Sequence, residues 1–341
     1  MTLATRREFV GWSAGVVGGW LGTNGDPTEP GDQRSESGGH DRLTGIEDED
    51  GDDGDPHWRE GPPMPDERTE VAAAVLEGRL YVVGGFVPND ETRPVTDEVA
   101  VYDPDGDRWE YAEPMPAALH HAGVAATNDE IFVVGGFEGD FEPVDSVWIF
   151  NGEGWRAGEP LPTPRGALTA GLVDDRIHAI GGENGDGALP TNETYDLKAD
   201  TWDEAAPMPT PREHVTSGTI DGAVYAIGGR VNFDNRGTTE VYDPHSDTWS
   251  ETAPMPTPRS GHAAAAVDGQ IYVVGGESRE QTYDEVERYD PDENRWEMLE
   301  SMPTPRHGLG VAAIGGDVYV ASGGPEPGFS YSDVLEVLER E

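Results

Sequence analysis

Short apolar runs that close on glycine punctuate the chain: Tyr81–Gly85 (YVVGG), Phe132–Gly136 (FVVGG), His178–Gly182 (HAIGG), Tyr225–Gly229 (YAIGG), Tyr272–Gly276 (YVVGG) and Tyr319–Gly323 (YVASG). Their first residues lie 51, 46, 47, 47 and 47 positions apart. The runs do not alternate apolar with polar, which is the pattern of a strand buried on both faces. Small residues precede several of them, as at Ala72–Ala74 and Ala263–Ala266, and a tryptophan follows five of them: Trp109, Trp155, Trp202, Trp249 and Trp296. Unit five displays the expected order of strands: Arg259–Val267 innermost, then Gln270–Gly276, Glu285–Asp290 and, outermost, Arg295–Met302. The turns before the outer strands read YDPDGDRW, YDLKADTW, YDPHSDTW and YDPDENRW, while unit two is shorter, from Phe150 to Trp155. That shorter turn predicts a tight Asn-Gly hairpin.

A period near fifty residues that carries Gly-Gly, Tyr-Asp and Trp resembles the kelch repeat, in which each unit is one propeller blade. The resemblance covers residues 57–341 in six copies. It implies an all-β fold: a six-bladed kelch β-propeller with four antiparallel strands per blade. Small inner-strand residues suit wedge-shaped blades that converge on an axis, and a single blade cannot bury its faces alone. Unit six starts after Met302 and holds three strands, whereas His57-Trp58-Arg59-Glu60-Gly61 reads as an outer strand with no blade of its own. Trp58 is therefore expected to complete blade six and close the ring.

Charge changes the picture. The chain carries 68 acidic and 22 basic residues, a net charge of −46, and Lys198 is its one lysine. Such a surface disfavours a nucleic-acid partner, which needs a basic patch. It also repels itself in dilute buffer, a cost that fades when the Debye length falls to about 3 Å near 1 M salt. The composition resembles that of proteins from extreme halophiles. With no cysteine, disulfides, thiol nucleophiles and cysteine-based zinc sites are excluded. Residues 1–22, with Arg6 and Arg7 ahead of a glycine-rich apolar stretch, resemble a twin-arginine export signal. Residues 23–56 are acidic and aperiodic, so they read as a disordered linker. An exported, extracellular or cell-surface protein is expected, touching a membrane only through a retained N-terminal segment.

The strongest polar pattern is the arginine after Met-Pro-x-x, or Leu-Pro-x-x in unit three: Arg68, Arg165, Arg212, Arg259 and Arg306, with Leu119 in unit two. Arginines ringed around an axis are a candidate site for an anionic ligand. Glu193, Glu240, Glu287 and Glu336 recur two residues before the tyrosine position, so structural ion pairs, within or between blades, are the competing reading. By the two pairing schemes Arg68 or Arg165 would be the free one. Glu70, His121 and His214 share one register two residues beyond the arginines, and by strand alternation they would face the same way. Two imidazoles and a carboxylate from three blades suit acid–base work or a metal, although lone histidines at strand ends are usually hydrogen-bonding residues; no metal or other cofactor is expected. His178 and His262 read as packing. The segments after the diglycines differ in every blade, and Phe86, Phe137, Phe141, Phe233, Phe329 and Tyr331 there form either an aromatic binding surface or blade caps. Asn192-Glu193-Thr194 is a glycosylation sequon.

The expected function is a non-catalytic module, most simply a monomer, that binds a protein or glycan at one rim. The alternative is a carbohydrate-active enzyme similar to kelch-type sialate mutarotases, with acid–base groups at the channel mouth. The copper-radical oxidases of similar fold need a Tyr–Cys cofactor, which this composition rules out.

Overall fold

The computed structural model describes residues 56–89 and 94–340. The segments expected at 1–22, with Arg6 and Arg7, and at 23–56 lie outside the described residues, Pro56 excepted. The described residues fold as six four-stranded antiparallel sheets, the blades of a propeller, with two small extra hairpins. Blade one pairs Ala72–Leu76, Arg79–Val83, Val99–Asp103 and Arg108–Tyr111 in sequence order. Blades two to five repeat this order. In blade five the strands are Ala263–Val267, Gln270–Val274, Val286–Asp290 and Arg295–Met298, each matching the sequence pattern at one end and falling short of it at the other.

Blade six borrows its outer strand. His57–Glu60 pairs antiparallel with Leu335–Glu339, setting Trp58 opposite Leu338 and Arg59 opposite Val337. The six outer-strand tryptophans then staple successive blades together. Each indole N–H donates to a carbonyl just past the outer strand of the preceding blade: Trp109 to Pro62 (2.8 Å), Trp155 to Glu113 (2.9 Å), Trp202 to Glu159 (2.9 Å), Trp249 to Ala206 (2.7 Å) and Trp296 to Ala253 (2.8 Å). Trp58 continues the series with Glu300 (3.2 Å). An aromatic edge with a donor thus buries apolar area and satisfies a loop carbonyl at once.

The core lies between blades. Leu80 and Val82 of blade one pack with Tyr319, Ala321 and Val337 of blade six, so the apolar contacts also run across the closing seam. The diglycines are sites of close approach. A Cβ on Gly135 would lie 2.5 Å from the Arg165 carbonyl oxygen, and the residue has φ +60°, so only glycine fits without displacement. Blade six places Ser322 there at φ 64°, and its hydroxyl compensates by donating to the Arg68 carbonyl at 2.7 Å. The short turn of blade two follows expectation: Asn151 Oδ1 accepts from the N–H groups of Glu153 (3.0 Å) and Gly154 (2.9 Å), with Gly152 at φ 87°.

The repeated arginines are the largest side chains that are fully buried, each 0% exposed. They reach outward across their own blade, away from the axis. Arg165 donates to the carbonyls of Gly181 (2.9 Å), Ala179 (2.8 Å) and Thr163 (2.8 Å) and pairs with Glu193 on the third strand. Arg212 pairs with Glu240 and Arg306 with Glu336, both at 2.7 Å, and Arg259 pairs with Glu287. The pairs are therefore within blades. Arg68 is not free either. Blade one has Asp66 where the other arginine-bearing blades have threonine, and Asp66 meets Arg68 Nε at 2.7 Å. Blade two replaces both charges with packing, Leu119 lying in the core with Trp148 against it. The expectation that Arg68, Arg165, Arg212, Arg259 and Arg306 present donors to a ligand fails because those donors are already spent inside the blades.

Breaking one such pair strands a charge in the interior, a loss of about 3–5 kcal/mol, whereas removing both charges is far milder. Arg259→Met should therefore destabilise strongly, and Glu287→Leu added to it should restore part of the loss. Chemical denaturation of the two singles and the double should show coupling between these partners, and the same cycle with Glu240→Leu should show none with Arg259.

Candidate functional site

The residue two positions after each arginine, or after Leu119 in blade two, heads the inner strand in a left-handed backbone conformation. The φ values are 54° at Glu70, 53° at His121, 53° at Ala167, 50° at His214, 63° at Gly261 and 60° at Gly308. Strand alternation is broken there, which is why Glu70, His121 and His214 do not share the arginines' burial inside the blades. Backbone hydrogen bonds link this set around the axis: His121 N–H to Glu70 O (3.2 Å), Ala167 to His121 (2.9 Å), His214 to Ala167 (2.9 Å) and Gly308 to Gly261 (2.8 Å). Bulky polar side chains stand only on blades one, two and four, and they line a central cavity of about 180 Å³ together with small inner-strand residues such as Ala73, Ala170 and Ala264.

The three predicted residues meet. Glu70 Oε2 lies 3.0 Å from His121 Nε2, and the His121 and His214 rings stand edge-on with centroids 4.7 Å apart. Their neighbours complete a circuit of ionisable groups. Glu70 Oε1 faces His307 Nδ1 at 3.2 Å, and His307 Nδ1 also faces Glu277 at 3.7 Å. Arg230 joins Glu277 (3.3 Å) to Glu213 (2.8 Å), and Glu213 holds His214 Nδ1. His120 Nδ1 meets His121 Nδ1 at 2.5 Å.

Burial and charge compete around this circuit. Burial alone would raise the Glu70 carboxyl, but His121 and His307 outweigh it and hold it well below the usual carboxylate range. Burial likewise opposes ionisation of Glu213, yet His214 and Arg230 pull it down to about 2. His307 moves up despite its burial, because Glu70 and Glu277 favour its proton. His120 moves the other way, pushed down to about 2 by burial and by His121, so its ring is neutral. These opposed shifts on adjacent groups are what a site able to hold or pass a proton shows.

Beside the circuit lies an aromatic shelf. Phe86 and Phe137 are buried, and the exposed Phe141 packs on both, at ring-centroid distances of 5.8 Å and 5.7 Å. Phe329, also exposed, meets Phe86 edge-on at 5.3 Å. Across the channel, exposed Phe233 sits between the guanidiniums of Arg230 (5.0 Å) and Arg279 (4.9 Å). Capping and exposure are thus divided: Phe86 and Phe137 seal blades, while Phe141, Phe233 and Phe329 face solvent.

Two histidines behave as packing. His178 is buried with its pKa pushed down to about 4 by that burial, and His262, pushed to about 3, contacts the Ile227 carbonyl at 3.1 Å. Asn192 is 2% exposed and donates to the Ala206 carbonyl at 3.2 Å, so the sequon offers no amide to a glycan in the folded domain. Sequence reasoning missed His307, Glu213, Arg230 and Glu277. Aligning the units would have found them: His307 and Glu213 stand one residue before the left-handed position, and Arg230 and Glu277 directly follow diglycines.

Residues 70–255 match the family model described as the KLHDC2/KLHL20/DRC7 Kelch-repeats domain, and residues 258–303 match the Kelch motif. Among curated proteins, the zebrafish Kelch repeat and BTB domain-containing protein 12 is 32% identical over 84 residues, 23% of this chain and 14% of that protein. Kelch-like protein terF of Aspergillus terreus is 39% identical over 72 residues, 21% of this chain and 16% of that protein. Mouse Kelch-like protein 35 is 31% identical over 94 residues, 27% of this chain and 16% of that protein. The matches thus span less than a fifth of the length of each of these three relatives.

Proposed function

Because the chain belongs to the kelch-repeat family, we propose that it is a non-catalytic propeller that holds a protein partner on the face formed by the post-diglycine segments. The observation that carries this reading is the shelf of Phe141 and Phe329, 42% and 40% exposed, standing beside the channel mouth. Exposed aromatics backed by buried ones are rigid, and truncating such anchors removes most of an interface's energy. The double variant Phe141→Ser, Phe329→Ser should lose the partner captured by the intact protein from its own cells. Tyr111→Ser, at an exposed aromatic of an outer strand, should keep it. Equal capture by both variants would overturn the assignment of the face.

We further propose that residues 1–22 direct export by the twin-arginine route, that residues 23–56 tether the propeller, and that it works in concentrated salt. The support is Arg6 and Arg7 ahead of an apolar stretch and the net charge of −46. Replacing both arginines with lysine should trap the protein in the cytoplasm, and unchanged secretion would refute the route. A second reading, acid–base chemistry on a reducing sugar, is favoured by the meeting of Glu70, His121 and His214. A sugar-dependent rise in melting temperature, lost in His121→Gln but kept in the Phe141→Ser, Phe329→Ser variant, would favour it over protein binding.

A further inference from the structure

We propose that Glu70, His121 and His214 form a binding site for a single divalent transition ion at the mouth of the central channel. One donor atom from each lies within 4.8 Å of the other two. Two metal bonds of about 2.1 Å place their donors about 3.0–3.4 Å apart, and Glu70 Oε2 and His121 Nε2 already stand 3.0 Å apart. His214, within 4.8 Å of both, has to move its ring inward to complete the set.

Three features distinguish this group from histidines that happen to be neighbours. The first is where the three ligands stand. Each side chain leaves the backbone at a left-handed residue of the ring around the axis, with φ between 50° and 54°, and that ring is tied by inter-blade hydrogen bonds. The positions of the ligands are therefore set by the whole propeller rather than by a loop. The second is the support behind each ligand. Glu70 turns its other oxygen to His307, His121 its other nitrogen to His120, and His214 its other nitrogen to Glu213. Metal ligands characteristically have their second polar atom held this way, which fixes ring orientation and leaves one atom for the ion. The third is fit. The other three ring positions are Ala167, Gly261 and Gly308, and a Cβ on Gly308 would sit 2.7 Å from the Glu70 carboxyl carbon, so glycine there is what lets the carboxylate stand at the ring.

The donor set selects the ion class. Two imidazoles with one carboxylate suit the borderline ions from iron to zinc, whereas calcium and magnesium prefer sites made of oxygen. Arg230 Nη2 lies 3.2 Å from His214 Nε2, the atom the ion would take, so this contact must break on binding. The guanidinium remains anchored by Glu213 and Glu277.

The test uses the whole protein, stripped with chelator and kept in molar KCl with excess magnesium to fill nonspecific carboxylates. Titration with Co2+ should give visible d–d bands that saturate at one ion per chain, and Zn2+ should displace them. His121→Gln, His214→Gln and Glu70→Gln should each weaken binding more than about a hundredfold, and Glu213→Gln about tenfold, as for a supporting residue. Arg230→Gln should tighten binding, while Asp234→Asn, at an exposed acid paired with Arg236, should leave it unchanged. Circular dichroism of each stripped variant reports its folding. If a variant fails to fold, nitrogen NMR of the wild-type histidine rings still reads metal contact at His121 and His214. Binding without saturation, binding that survives the loss of both histidines, or histidine resonances unmoved by zinc would each overturn the proposal.

Discussion

A chain lacking residues 1–61 is expected to lose cooperative unfolding, whereas one lacking residues 1–50 should melt like the intact protein. The difference is the strand His57–Glu60, which pairs along Leu335–Glu339 and completes blade six. Without it Leu335, Val337 and Leu338, each 0% exposed, would border a bare sheet edge, a ready template for aggregation. The ring would also open, because Trp58 is the indole that ties blade six to blade five through Glu300, and Trp109 ties blade one to Pro62 behind the same strand. Closure is what makes the six blades one cooperative unit, since each repeat contacts only its neighbours. Trp58 is partly buried, so Trp58→Ala alone should cost about 3 kcal/mol, the low end for a large aromatic. That corresponds to a fall of roughly 5 °C in melting temperature for a domain of this size. Calorimetry of the two truncations and the point variant checks the idea, and identical melting of both truncations would sink it.

The second large effect is expected from salt. Lowering KCl from molar to about 0.1 M lengthens the screening distance from about 3 Å to about 10 Å, so surface carboxylates begin to feel one another across the molecule. The whole chain carries a net charge of −46, and the folded domain should lose its far-ultraviolet signal in that range. Buried pairs such as Arg212–Glu240, with both side chains 0% exposed, are hardly screened and do not weaken when salt returns. Salt therefore relieves the repulsion without dissolving the internal pairs. Mild acidification at low salt should rescue part of the signal, because exposed carboxylates begin to protonate while Glu213, held at about 2, keeps its charge. Circular dichroism across the salt series decides the matter, and a flat signal from molar to dilute salt would refute it.

The sequence by itself determined the repeat, the number of blades, the order of strands within them and the closure through Trp58. Periodicity and apolar runs are local in the chain, and six copies in register average out the irregularity of any one. It also brought Glu70, His121 and His214 into one register, and the structure sets them side by side at the channel. Direction was decided only by tertiary structure. Counting residues by two from Arg68 to Glu70 assumes an alternating strand, but the left-handed turn at Glu70 sends the arginine into the blade and brings the glutamate to the channel. The choice between pairing within and between blades was likewise invisible, because Arg259 has a repeat glutamate on either side, Glu240 before it and Glu287 after it, and either scheme fits the repeat pattern. The three-dimensional path of the third strand selects Glu287. The ionisable circuit depends on contacts such as Glu70 with His307 and Arg230 with Glu277, which join residues from different repeats. No periodic signal encodes them, since each is a departure from the repeat, and only the closed ring brings such departures face to face.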